Sequence, residues 1–167
     1  IKNNTINIYG MGIHIVGDPD SSTISFNTIS LEQSGKFGIE VNNCNNCVFE
    51  GNTILSLNGA GLGSYNSDYA QIMYNTIQAA GDGIFAQNSD YIQIKNNNIE
   101  AGTSWDDEGI FIYNSPYAQI TDNTIQAGGD GIYASHSEYA QIMDNTIQAG
   151  TSLDGDGINA KNSDGIL

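Results

Sequence analysis

The 167-residue sequence predicts an all-β solenoid, a stack of about seven short parallel coils, on three observations. First, two markers recur along the whole chain. Asn-Thr-Ile or Asn-Asn-Ile begins at Asn4, Asn27, Asn52, Asn75, Asn97, Asn123 and Asn145, and Gly followed by Ile or Leu begins at Gly12, Gly38, Gly61, Gly83, Gly109, Gly131 and Gly157. Second, the spacing from Gly to the next Asn is 15 once and then 14 five times, whereas from Asn to the next Gly it wanders between 8 and 12. A segment of constant length belongs to stacked strands, and one of variable length to an outward loop. Third, apolar residues alternate around each anchor, as in "GIYAS" and "NTIQA", the period-two pattern of a strand buried on one face.

Each repeat of 22–26 residues carries three aliphatic anchors, for example Ile132, Ile142 and Ile147 before Ile158 opens the next, at steps of 10, 5 and 11. These steps fit no helical stripe, and no hairpin turn separates the anchors, so each repeat is one coil of three short strands. Unequal steps argue against the six-residue rhythm of an equilateral left-handed coil. They favour a right-handed parallel β-helix with a bent cross-section, spanning residues 1–167 as a single repeat domain. A leucine-rich repeat is excluded, because its Leu/Asn signature is missing. Stacking in register turns matching letters into columns. Ile6, Ile29, Ile54, Ile77, Ile99, Ile125 and Ile147 form one internal ladder, and Ile24, Phe49, Ile72, Ile94, Ile120 and Ile142 a second. The Asn column from Asn27 to Asn145 sits at the bend before the last strand, where each amide pairs with those above and below.

Composition narrows the partners. Four Lys or Arg against 19 Asp or Glu leave a formal net charge of −15, which repels nucleic acid and anionic lipid and suits cations or neutral partners. No segment approaches the ~20 apolar residues of a membrane span. The chain starts inside a strand without Met or a secretion signal and stops just after a marker Gly, so it reads as an excised piece or as a unit stacking end to end on its own copies.

The pattern "GIYASHSEYAQIMDNTI" resembles the right-handed parallel β-helix repeats of carbohydrate-active and carbohydrate-binding proteins: pectate lyases, polygalacturonases, mannuronan epimerases and phage tailspikes. The resemblance covers essentially the whole chain and is specific for fold, since the shared residues are structural. It implies polysaccharide lying along the first strand and variable loop, where the outward residues are His14, Glu40, Gly63, Phe85, Phe111, Tyr133 and Asn159. Phe85, Phe111 and Tyr133 on neighbouring coils offer a platform for sugar rings; equally they stack on one another or meet another chain. Trp105 in one long loop and Leu153 in another either cover the shorter loop around Asp130 or present a sugar platform.

Acids precede the marker Gly in four consecutive coils, at Asp82, Glu108, Asp130 and Asp156, with Asp106, Asp107 and Asp154 nearby. Like charges ~5 Å apart up the stack call for a cation, and calcium is the expected one, against a merely solvated acidic edge. Carboxylates one or two coils apart match the ~5 Å and ~6.5–9.5 Å separations of retaining and inverting glycosidases, which makes Asp106, Asp107 and Asp130 the catalytic alternative. Motifs argue for no catalysis. There is no Arg, Lys2, Lys36, Lys95 and Lys161 form no cluster, and "WDDEG" and "GDPD" lack the partner motifs of polygalacturonases and epimerases. His14 and His136 read as structural, and Cys44 and Cys47 as buried free thiols. The Thr28, Thr53, Thr76, Thr124 and Thr146 column is too interrupted for an ice-binding array. The expectation is thus a non-catalytic extracellular or cell-surface scaffold that binds polysaccharide; the alternative is a fragment of a lyase, epimerase or hydrolase acting on acidic glycans.

Overall fold

The computed structural model describes residues 1–17, 21–32, 35–150 and 155–167. Asp18 and Asp20 of "GDPD", Leu153 and Asp154 lie outside them. Every regular element among the described residues is a strand, and all pair in parallel in three sheets. The first sheet stacks Ile13–Val16, Ile39–Asn42, Leu62–Tyr65, Ile84–Gln87, Ile110–Tyr113, Ile132–Ser135 and Ile158–Lys161. The second stacks Thr23–Ser25, Val48–Glu50, Gln71–Met73, Gln93–Lys95, Gln119–Thr121 and Gln141–Met143, and the third Thr5–Ile8, Thr28–Leu31, Thr53–Ser56, Thr76–Ala79, Asn98–Glu100, Thr124–Gln126 and Thr146–Gln148. One strand from each sheet makes a coil, and six coils are complete among the described residues.

Register follows the columns read from the sequence. Ile29 pairs Ile54, Ile77 pairs Ile99 and Ile125 pairs Ile147, while Phe49 pairs Ile72 and Ile94 pairs Ile120. A one-residue slip would send each of these side chains to solvent, so burial of the aliphatic face specifies the register. Ile24, Phe49, Ile72, Ile94 and Ile120 are fully buried, as are Ile39, Leu62, Ile84, Ile110 and Ile132 on the facing sheet.

Two of the three connections in each coil use residues at positive φ, in three columns. The connection from the second sheet to the third carries Asn3, Phe26, Gly51, Tyr74, Asn96, Asp122 and Asp144; the turn from the first sheet to the second carries two columns, Gly17, Asn43, Asn66, Asn88, Asn114, His136 and Asn162 at its start and Ser21, Asn46, Tyr69, Tyr91, Tyr117, Tyr139 and Gly165 at its end. Asn and Asp tolerate the left-handed region, which accounts for much of the sequence's Asn content. The tyrosines at the end of that turn are less expected there, and they stack on one another with centroids 5.0, 4.8 and 5.3 Å apart. That exposed ladder of Tyr69, Tyr91, Tyr117 and Tyr139 is invisible to a reading of strand periodicity alone.

Two polar ladders run through the interior. The Asn ladder forms as expected, each Oδ1 accepting both the backbone N–H and the side-chain Nδ2 of the Asn one coil earlier. The second was not anticipated: Ser67, Ser89, Ser115, Ser137 and Ser163 accept, through Oγ, the backbone N–H of the equivalent residue one coil earlier. Cys44 heads this column. Contrary to the expectation of free thiols, Cys44 and Cys47 are joined as a disulfide across the corner, both fully buried. The two cysteines flank one turn, so the fold brings their side chains together where a sequence spacing of three leaves pairing undecided.

Candidate functional site

The outward column of the first sheet is aligned as the register requires, from His14 beside Glu40 to Phe85, Phe111, Tyr133 and Asn159. Phe85 and Phe111 stack at 4.8 Å with 4° between their planes, and Phe111 and Tyr133 at 5.0 Å with 13°. Gly63 interrupts the column, and Phe37 fills its place: a Cβ on Gly63 would come within 2.9 Å of the Phe37 ring, which meets Tyr65 and Phe85 edge-on. Strand spacing explains the consequence. Rings repeated at about 4.8 Å cover each other's faces, so the stack turns edges outward, and a face open to a ligand occurs only where the stack ends.

It ends at Tyr133, where Asn159 takes the next place in the column. There a cleft of about 270 Å³ opens, lined by Trp105, Glu108, Asp130, Tyr133, Asn159 and Lys161. The loop before Gly109 carries Trp105, which stands 69% exposed and so leaves its indole available to a ligand. The ammonium of Lys161 lies 5.2 Å from the Tyr133 ring centroid. The aromatic candidates Trp105 and Tyr133 thus meet two of the four column acids, Glu108 and Asp130, in one concavity, while Phe85 and Phe111 back it as the stack. The fold brings Lys161 to the same place, a neighbour that sequence spacing did not reveal.

The acidic column is organised by backbone amides. Asp82 Oδ1 accepts the Glu108 N–H at 3.0 Å, and Asp130 Oδ1 accepts the Asp156 N–H at 2.7 Å while its Oδ2 accepts Asn159 Nδ2 at 2.7 Å. Asp130 is buried, Asp156 exposed. Asp107 is tied into its own loop through Oδ2 and the Ser104 N–H, and Asp106 is exposed beside it. Calcium is expected from the column's charge; among the described residues no group of three or more His, Cys, Asp or Glu side chains is arranged to hold a metal ion.

Burial pushes the Glu108 carboxyl up to about 8, aided by its hydrogen bond to the Asp82 carboxyl, by the Asp82 charge and by Asp130. Burial also raises Asp82, against its hydrogen bonds from Glu108, with Asp107 and Asp106 adding repulsion. A carboxyl raised on folding favours the folded chain below its unfolded value of 4.5, and that contribution is lost as pH climbs through about 8. The expected result is that the melting temperature of the parent chain falls relative to Glu108→Gln across this interval. Thermal melts at closely spaced pH check it; a constant difference would mean that Glu108 titrates as a solvated acid.

Elsewhere the candidates separate. His14 Nε2 faces Glu40 at 3.6 Å, and His136 Nδ1 lies 2.9 Å from Ser135 Oγ with its ring against Tyr113. A broader depression of about 500 Å³ lies on the outward face of the third sheet, lined by Asn98, Glu100, Thr124, Gln126, Thr146 and Gln148. It carries no aromatic ring, and Asn98 and Glu100 interrupt the Thr column there.

Residues 1–106 match the family described as periplasmic copper-binding protein (NosD), and residues 82–167 the family described as right-handed beta helix region. No curated protein matches the sequence. Among solved structures, the periplasmic alginate epimerase AlgG superposes with a TM-score of 0.61 at 18% identity over 99% of this chain and 46% of the epimerase. The chain therefore spans less than half the length of that enzyme. An alginate lyase from Paenibacillus sp. str. FPU-7 aligns at 13% identity with a TM-score of 0.49 over 88% of this chain and 67% of the lyase. The solenoid is right-handed, and the chain belongs to the NosD family through its first 106 residues and to the right-handed β-helix family through residues 82–167.

Proposed function

We propose that this β-helix is a non-catalytic, extracytoplasmic scaffold that binds polysaccharide at the cleft where its aromatic stack ends. The observation that carries the reading is the coincidence of the exposed Trp105 indole, the terminal ring Tyr133 and the polar groups of Glu108, Asp130 and Asn159 around one concavity. Sugar rings bind through an apolar face against an aromatic ring and through hydroxyls against carboxylate and amide groups, and the cleft supplies both. A location outside the cytoplasm suits the buried Cys44–Cys47 disulfide, the −15 charge and the periplasmic descriptions of both the family and the similar epimerase.

A second reading rests on Glu108. A carboxyl held up to about 8 is protonated at neutral pH, and it shares the cleft with Asp130 from the next coil. A neutral acid beside a second carboxylate is the arrangement of glycoside hydrolysis. Incubating the chain with polyuronate and neutral glycans decides between them: no reducing or unsaturated ends form on the scaffold reading, and turnover abolished by Glu108→Gln establishes the enzyme. On the scaffold reading, Trp105→Ala weakens glycan binding roughly fivefold, measured by affinity electrophoresis, because an exposed stacking ring contributes about 1 kcal/mol. Unchanged mobility of Trp105→Ala would move the binding surface elsewhere.

For copper, named in the family's description, no group of three or more His, Cys, Asp or Glu side chains is arranged among the described residues. Cys44 and Cys47 are closed on each other, and His14 and His136 are engaged on different coils with Glu40 and Ser135.

A further inference from the structure

Resting on that glycan reading, we infer that the cleft selects saccharides bearing an ammonium group, amino-sugar units, over neutral and acidic ones. The face of Tyr133 that the next coil leaves open is already occupied by a cation, the Lys161 ammonium 5.2 Å from the ring centroid. A tyrosine face attracts positive charge through its quadrupole, and Lys161 is an intramolecular stand-in for a ligand ammonium at that spot. Lys161 is exposed at the surface, so its long side chain swings aside without disturbing the strand that carries it.

Around this face the field is negative. Asp130 lines the cleft itself beside the protonated Glu108, Asp82 stands one coil before Glu108 and Asp156 one coil after Asp130, and Asp106 and Asp107 follow Trp105 in its loop. Lys161 is the single opposing charge among the lining residues. A polyuronate carboxylate placed at Tyr133 would be repelled by Asp130 and the acids around the cleft, whereas an ammonium would be drawn to them. The Trp105 indole, 69% exposed, is then the surface for the sugar ring itself. Glu108 adds a signature. A cation lodged beside it lowers its pKa, so an amino sugar binds with release of a proton, which a neutral sugar does not provoke.

The test is titration calorimetry of the whole chain, in mildly acidic buffers of differing ionisation heat, with three oligosaccharides of equal length: glucosamine, N-acetylglucosamine and a uronic acid. The expected result is that the glucosamine oligomer binds at least tenfold more tightly than the other two, weakens with salt and releases protons, and that Lys161→Ala tightens it severalfold by vacating the Tyr133 face. Glu108→Gln, which keeps the shape of the side chain, abolishes the proton release. Equal affinity for glucosamine and N-acetylglucosamine overturns the charge selection and leaves the glycan reading intact. Preferred binding of the uronic acid oligomer, lost in Lys161→Ala, overturns it in the opposite sense, with Lys161 reading a carboxylate. Binding of none of the three overturns the glycan reading itself.

Discussion

Replacing Asn97 by alanine lowers the melting temperature by roughly 12 °C, the larger of two effects expected from single substitutions in the interior. Asn97 is buried, and its amide works in every direction. Nδ2 donates to the carbonyls of Ile72 and Lys95 and to Asn123 Oδ1, at 2.9, 3.1 and 3.0 Å, while Oδ1 accepts the backbone N–H and the Nδ2 of Asn75, both at 3.0 Å. Alanine leaves the Asn75 N–H without its partner in a dry corner and takes one bond from each of the Asn75 and Asn123 amides and one from the Ile72 carbonyl. The orphaned N–H costs about 1–3 kcal/mol and the lost amide bonds add to it, so a total near 4 kcal/mol is expected, which at about 3 °C per kcal/mol in a domain of this size is roughly 12 °C. Asn97→Asp is no remedy, because it keeps the acceptor but removes the donors and buries a charge. Asn145→Ala, at the half-buried end of the ladder, loses less. Thermal denaturation followed by circular dichroism separates these variants. Equal melting of Asn97→Ala and the parent chain would show that the ladder is not what holds the corner.

The second large effect falls on a marker glycine. None of the glycines in that column has a positive φ, so their role is space and not backbone freedom. A Cβ on Gly109 would press into Ile125 Cγ2 of the third sheet and lie 2.5 Å from the carbonyl oxygen of Gly131 on the next coil. Backbone and β-branched side chain are both fixed by stacking, so neither can retreat cheaply. Gly109→Ala is expected to cost about 3 kcal/mol, roughly 8 °C in melting temperature. Gly157 has nothing within 4 Å of its added Cβ, and Gly157→Ala serves as the control, expected to melt with the parent. If both alanine variants melt together, the close approach of sheet and corner is not the reason for glycine in this column.

Reading the fold from the letters succeeded where a residue's neighbours are set by the repeat itself. Asn75 meets Asn97 because the same letter returns after one coil, and Phe111 lies between Phe85 and Tyr133 for the same reason. The Ser67 to Ser163 ladder is equally periodic, each Ser following Asn or His at the same turn, but a small polar residue beside a turn reads as solvated, and only the closed coil shows it buried and bonded. The Tyr69, Tyr91, Tyr117 and Tyr139 stack sits at a corner, where strand alternation carries no information. Cys44 and Cys47 flank a turn whose tightness decides whether two sulfurs meet.

The candidate site shows the same division. Trp105, Glu108, Asp130 and Tyr133 could be named from position in the repeat, because vertical order along a solenoid is the order of the chain. Their convergence with Lys161 and Asn159 on one cleft could not, since it depends on how far a variable loop leans over the sheet and which way a long side chain turns. Periodicity determines what lies above and below each residue, through the fixed spacing of parallel strands. Sideways contacts between loop, corner and strand follow no repeat, and only three-dimensional packing chose which ring face was left open and which charges surround it.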